Sequence, residues 1–227
     1  MYMHLCYLCL LFIHYKMKKT ALILGVFATA ILTSCSSPKT TEAGDAGDAS
    51  NATSTSASYT VDVMSSTVTW KGSKKMGENH VGTIAINSGS LSADSTTLTA
   101  GEFEIDMKSM KETDPASAEM TTKLMGHLSS ADFFAIDTFP TATFVITGAE
   151  NGSMKGNLTI KGITKEITAP ATLTLSETGM TATSSFSINR KDWGITWGAS
   201  SHPVDFLKDN FVNDNIDFTV NLVAVKN

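Results

Sequence analysis

Three cysteines, five histidines and a single arginine occur among 227 residues, and any chemistry must begin with them. Cys35 follows the apolar run 21–32 in "AILTSCSS" (30–37), and no cysteine comes after it. Alone beyond the leader, it closes no intrachain disulfide. As a nucleophile it would need a histidine base in a folded cleft. Arg190 ends the stretch "FSINR", with Trp193 and Trp197 close behind. A fixed guanidinium fork suits a phosphate or carboxylate headgroup, and an ion pair with Asp192 or another carboxylate is the competing assignment. His80, His127 and His202 lack the close spacing of a helical zinc motif, so no metal is expected. His80 and His127 are each candidate ligand contacts, His80 at the headgroup, against the commoner structural use of a lone histidine. There is no Gly-x-Ser-x-Gly elbow, no glycine-rich phosphate loop and, after the leader, no Cys-x-x-Cys. The carboxylates fall mostly on outward strand positions. Binding without catalysis, and without a cofactor, is the expectation.

The elements around Cys35 decide what it is for. Lys18 and Lys19 precede the apolar run 21–32, which ends in Thr33 and Ser34. That is the order of a signal peptide: charged, apolar, small. It spans 1–34, and residues 1–16 fit poorly with it, so Met17 is the expected start of translation. Cys6 and Cys9 leave with the leader. Leu32-Thr33-Ser34-Cys35 resembles a bacterial lipobox, whose cysteine is acylated, and acyl chains hold a protein at a membrane. Residues 36–58, "SSPKTTEAGDAGDASNATSTSAS", contain no large apolar side chain. Such a segment buries too little surface to offset its ordering entropy, so 35–58 is expected to be a flexible tether. These readings place the protein in a bacterial cell envelope, lipid-anchored, on the outer membrane facing the periplasm. Seventeen basic residues against 22 acidic give a net charge of −5, and the leader carries lysines but no acids. A phosphate backbone demands the opposite balance, so nucleic acid is not a partner.

From Tyr59 onward the pattern has a period of two. Phe103, Ile105 and Met107 alternate with Glu102, Glu104 and Asp106, while Ile216, Phe218, Val220 and Leu222 alternate with Asp217, Thr219 and Asn221. Similar runs recur through "YTVDV", "STVTW", "VGTIAI", "ATFVIT", "MKGNLTI" and "TATSSFSI", punctuated by "ENGS" and "SETG". This predicts antiparallel strands with one wet face, joined by hairpins. One segment differs: "DPASAEMTTKLMGHL" has helical spacing. About eight strands and one short helix make an all-β sandwich or barrel. Gly156, Ala169, Ala171, Ala182 and Ser184 interleave with the inward phenylalanines, which favours a hollow barrel.

"HLSSADFFAIDTFPTATF" (127–144), "GNLTIKGITKEI" (156–167) and "FSINRKDWGITWG" (186–198) resemble the signature blocks of the YceI-like family, and "YTVDVMSSTVTWKG" and "HVGTI" are similar too. The resemblance spans 59–227. It implies an antiparallel eight-stranded lipocalin-like barrel with a long apolar cavity, in envelope proteins that bind polyisoprenoid or related amphiphilic lipids. The function it implies is sequestering or carrying an isoprenoid-type or quinone-type lipid. The alternative is a filled barrel serving as a structural or interaction module. A second copy of the chain is the other partner considered. The chain departs from the family pattern in its lipoprotein leader and in "SSHPVDFLKDN" (200–210), which lengthens the last connection. The expected cavity lining is Trp70, Phe103, Ile105, Phe133, Phe134, Phe144, Leu158, Phe186, Ile188, Trp193 and Phe218. Pro140 and Gly162 are read as maintaining the fold.

Overall fold

The computed structural model describes residues 38–227 except 54, 75, 76, 78, 114–116 and 199–211. Cys35, the leader, Pro115, Lys75, His202 and the long last connection therefore lie outside the described residues.

The strands are β1 (Thr40–Thr41), β2 (Ala57–Val61), β3 (Thr67–Ser73), β4 (Asn79–Ala93), β5 (Leu98–Glu112), β6 (Thr141–Glu150), β7 (Ser153–Ile160), β8 (Ile163–Pro170), β9 (Thr172–Leu175), β10 (Gly179–Asn189) and β11 (Asn215–Lys226). One helix, α1 (Ala118–Ser129), lies between β5 and β6. β2 and β3 both pair with β4 and with β11, so they form one interrupted strand. β8 and β9 are separated by Ala171 alone. β8 pairs with β7 and β9 with β10, so the two carry the sheet round to closure. Counted this way, the antiparallel wall has eight strands, as the alternation predicts.

The register follows from burial. Phe103 pairs with Phe144, and Phe144 with Leu158, all three buried. Glu104 sits on the other face, where Asn87 Nδ2 donates to its Oε1 at 2.8 Å. Tight turns supply the corners. Asn151-Gly152 and Lys161-Gly162 both have two consecutive positive φ values. That is the mirror-image turn whose twist matches paired strands. β4 contains a phase change that alternation alone does not reveal. Ile84 and Ile86 are buried at even positions and Leu91 and Ala93 at odd ones, because a bulge between Ile86 and Ser88 inserts one residue.

α1 starts where Ser117 Oγ accepts from Met120 N at 3.1 Å, with Glu119 in its first turn. It buries Leu128 and half-buries Leu124 and Met125 against the barrel end. The following turns bring in Phe133, Phe134 and Ile136, all buried. Pro140 then leads directly into β6, its carbonyl accepting from Met107 N at 2.9 Å.

The expectation of a free tether fails for residues 39–50. β1 pairs in parallel with β10, Thr40 opposite Ser187 and Thr41 opposite Ile188. Gly44 exchanges both backbone bonds with Glu166 of β8, at 2.8 and 3.1 Å. Gly47 exchanges two with the Asn157 side chain of β7, and Ser50 N donates to Ile146 O of β6. The composition argument weighs only side-chain burial. Backbone groups in this segment find sheet partners whatever their side chains are.

Candidate ligand-binding cavity

The closed sheet leaves a cavity of about 430 Å³, within the usual range for small-molecule sites. Its walls are apolar. Trp70, Phe103, Ile105, Phe144, Leu158, Phe186 and Phe218 line it from the strands, and Phe133 and Phe134 from the segment after α1. Ile84, Ile86, Met107, Met110, Leu124, Ile160, Ile167 and Leu222 also contribute. The strand members of that second group share the period-two pattern, which could have identified them, except Met110, which falls out of phase with Met107 where the β4–β5 register shifts. Ala169, Ala171, Ala182 and Ser184 lie on the wall and leave it open. Gly156 works differently: a Cβ there would overlap the Phe144 ring, so its smallness seats that ring rather than a ligand.

A polar rim lies at the α1 end, where Ser73, Lys74, His80, Lys123, His127 and Asn213 line the same cavity. His80 Nδ1 lies 2.7 Å from Glu112 Oε1, and the Glu112 side chain is only 2% exposed. Glu112 was not anticipated; it lies opposite Gly82, which in turn lies opposite Trp70. The buried Trp70 Nε1–H has no acceptor among the described residues. His127 stands edge-on to Trp197, ring centres 4.1 Å apart, and to Phe133 at 5.0 Å. Burial holds its imidazole below the usual histidine range, against the opposing pull of Asp132.

Three expected site residues take other positions. Arg190 is fully buried. Its Nε donates to Asn213 O at 3.1 Å, its Nη1 to Ile195 O and Trp197 O at 2.8 and 2.7 Å, and its Nη2 to Val212 O at 3.3 Å. Asp214 Oδ1 lies 3.8 Å from Nη2. Although the residue borders the cavity, its planar fork is occupied by backbone carbonyls and holds the loop after β10 to the start of β11. Trp193 is also fully buried and does not line the cavity; its Nε1–H donates to Leu158 O at 3.1 Å. Ile188, 1% exposed, belongs to the packed core beside β1 and not to the cavity surface. Arg190 and Trp193 belong to the 3₁₀ segment Arg190–Trp193, which carries their side chains out of the barrel's line, whereas Ile188 stays in β10 opposite Thr41 and Ile216.

A closed antiparallel barrel around an apolar cavity with a polar rim defines a hollow lipocalin-like barrel. The YceI-like domain model matches residues 59–224, and the chain belongs to that family. The structure is similar to BcnA of Burkholderia cenocepacia, at 23% identity over 72% of this chain and 98% of that one, with a TM-score of 0.55. It is also similar to a polyisoprenoid binding domain from Saccharophagus degradans implicated in plant cell wall breakdown. There the identity is 16% over 74% and 98% of the two chains, with a TM-score of 0.52. At these identities the likeness is one of fold. No curated protein matches the chain.

Proposed function

We propose that this protein binds a long-chain amphiphilic lipid of isoprenoid or quinone type and sequesters or carries it in the bacterial cell envelope. The observation that carries this reading is the cavity itself: a phenylalanine-lined interior with its charged and imidazole groups gathered at one end. Burying a long apolar tail there gains about 25 cal/mol per Å² removed from water. The head then lies at the rim beside His80, Lys74 and Asn213. The Saccharophagus degradans domain of similar fold, described as polyisoprenoid binding, supports the same ligand class. Arg190 offers no free guanidinium to an anion, which favours a neutral hydrogen-bonding head such as an alcohol or quinone carbonyl. Members of the family are binding proteins, and no catalysis is assigned to this chain.

Organic extraction of the purified protein followed by mass spectrometry tests the proposal. A stoichiometric lipid supports it; a clean extract from protein that also rejects added prenols and quinones overturns it in favour of a structural module. Ala182→Phe, which places a ring in the cavity from β10, should lower lipid occupancy at least tenfold in the same extraction while the chain still folds.

The proposal includes anchorage through a lipidated Cys35, on the outer membrane facing the periplasm, and rests on the sequence Leu32-Thr33-Ser34-Cys35. Cys35→Ser should move the protein from the membrane to the soluble envelope fraction. Wild-type levels of the mutant in washed membranes would remove the anchor from the reading.

A further inference from the structure

The barrel wall is not a continuous ladder. β9 pairs with the first part of β10, from Met180 opposite Leu175 to Thr183 opposite Thr172. Just beyond Thr183, Ser184 Oγ still donates to Pro170 O of β8 at 2.7 Å, and at Ser187 and Ile188 that edge of β10 pairs with β1 in place of β8. Ser187 N donates to Lys39 O at 3.2 Å on one side of the inserted segment. On its other side, Thr41 Oγ1 donates to Thr168 O at 3.1 Å and Gly44 bonds Glu166 in both directions. A strand inserted between two others holds their backbones two spacings apart, roughly 9.5 Å. Without it, the gap between β8 and β10 is as wide as one extended chain.

That gap borders the cavity. Ile167 on β8 and Phe186 on β10, at the edge of the stretch that β1 separates, line the cavity, and the Ser184–Pro170 bond closes the wall above them. The inserted segment adds almost no apolar contact: Thr41 is buried and Ala43 packs against the core, but residues 36–58 hold no large apolar side chain. Its hold is a short row of hydrogen bonds, each worth about 0.5–1.5 kcal/mol net. Elements that open belong to the low-stability end of a fold, and this segment meets that description. It also lies outside the span matched by the family model, so it is an addition to the domain.

We infer that residues 39–50 are a removable strap whose first part, 39–44, serves as a wall strand between β8 and β10, and that the slot this part fills is the route by which the apolar ligand enters and leaves the cavity. The inference rests on the lipid-binding reading above. A tail no wider than an extended peptide passes sideways through the slot, and the rim at the α1 end receives only the head. Closing the strand restores the wall.

Gly47 provides the handle. A Cβ at this position would overlap Glu166 Oε2. Glu166 cannot swing away freely, since Thr147 Oγ1 at 2.8 Å and Lys155 Nζ at 3.1 Å hold it. Gly44→Pro removes the N–H that bonds Glu166 O. Neither residue lines the cavity. The test follows uptake and release of a dansyl-labelled farnesol by stopped-flow fluorescence, using full-length wild type, Gly47→Val and the Gly44→Pro/Gly47→Val double variant. Hydrogen exchange at 39–50 is measured in parallel. The inference expects faster exchange in the variants, both rate constants raised about tenfold, and Kd unchanged within about twofold. Faster exchange with unchanged rates overturns the slot as the route and leaves lipid binding standing. A segment still protected in the double variant overturns its being removable. No uptake by wild type removes the lipid-binding reading, and this inference with it.

Discussion

The barrel is held together at two places where its own ladder does not suffice, and they are built in opposite ways. At the corner after β10, the Arg190 guanidinium is wholly buried and ties four carbonyls together, with Trp193 and Ile195 packed to zero exposure around it. From the seam between β8 and β10 across β7 to β6, residues 39–50 are held by backbone bonds with only Thr41 buried. The corner is costly to open because every broken bond strands a buried group. The seam is cheap because water replaces what it loses. A charge saturated by carbonyls serves permanence, and a small polar strand serves exchange.

Breaking the corner should give the largest effect. Arg190→Met orphans the carbonyls of Ile195, Trp197, Val212 and Asn213 and leaves Asp214 without its guanidinium. Removing one partner of a buried charge network costs about 3–5 kcal/mol, and the urea midpoint should fall accordingly. Affinities for a prenol and for a prenyl phosphate should decline together. A selective loss of the phosphate would return Arg190 to the headgroup and undo the contrast.

A smaller effect is expected at the seam. Asn157→Ala removes both bonds to Gly47, at 2.9 and 2.7 Å. Global stability should change by less than about 1 kcal/mol, since the bonds are partly solvated. Local hydrogen exchange over 39–50 should nevertheless rise several-fold. A global loss as large as that of Arg190→Met would show the segment to be structural cement.

The smallest effect concerns pH. Burial keeps His127 below the ordinary histidine range, so the folded state binds fewer protons than the unfolded chain. Its contribution is fully present above the unfolded pKa of about 6.5 and is lost as the pH falls below it. Thermal scans between pH 7 and 5 should show a modest decline, and His127→Phe should flatten it. An equal decline in that variant would assign the effect to other groups.

How much of this was legible varied by residue. Phe103, Phe144, Leu158 and Phe218 could be placed inward from alternation alone, because successive side chains on a strand point to opposite faces. The bulge in β4 could not, because one added residue inverts the phase without changing composition. Arg190 beside two tryptophans reads as a ligand site in sequence. The carbonyls that bind it come from residues up to 23 positions away and meet only when β11 returns. Glu112 was missed because a glutamate ending a strand looks solvated until His80 is brought against it.

The sequence by itself determined the barrel, its inward faces, its helix and its turns, since each depends on local periodicity or on backbone angles set by neighbours. It also determined that residues 36–58 could form no core of their own. Only the tertiary structure decided where the cavity's charged groups converge, that the one arginine is saturated by carbonyls, and that 39–44 lie between two strands of the wall. Hydrogen bonds between backbone groups carry no sequence signature, and a gap between two strands exists only once the sheet has closed.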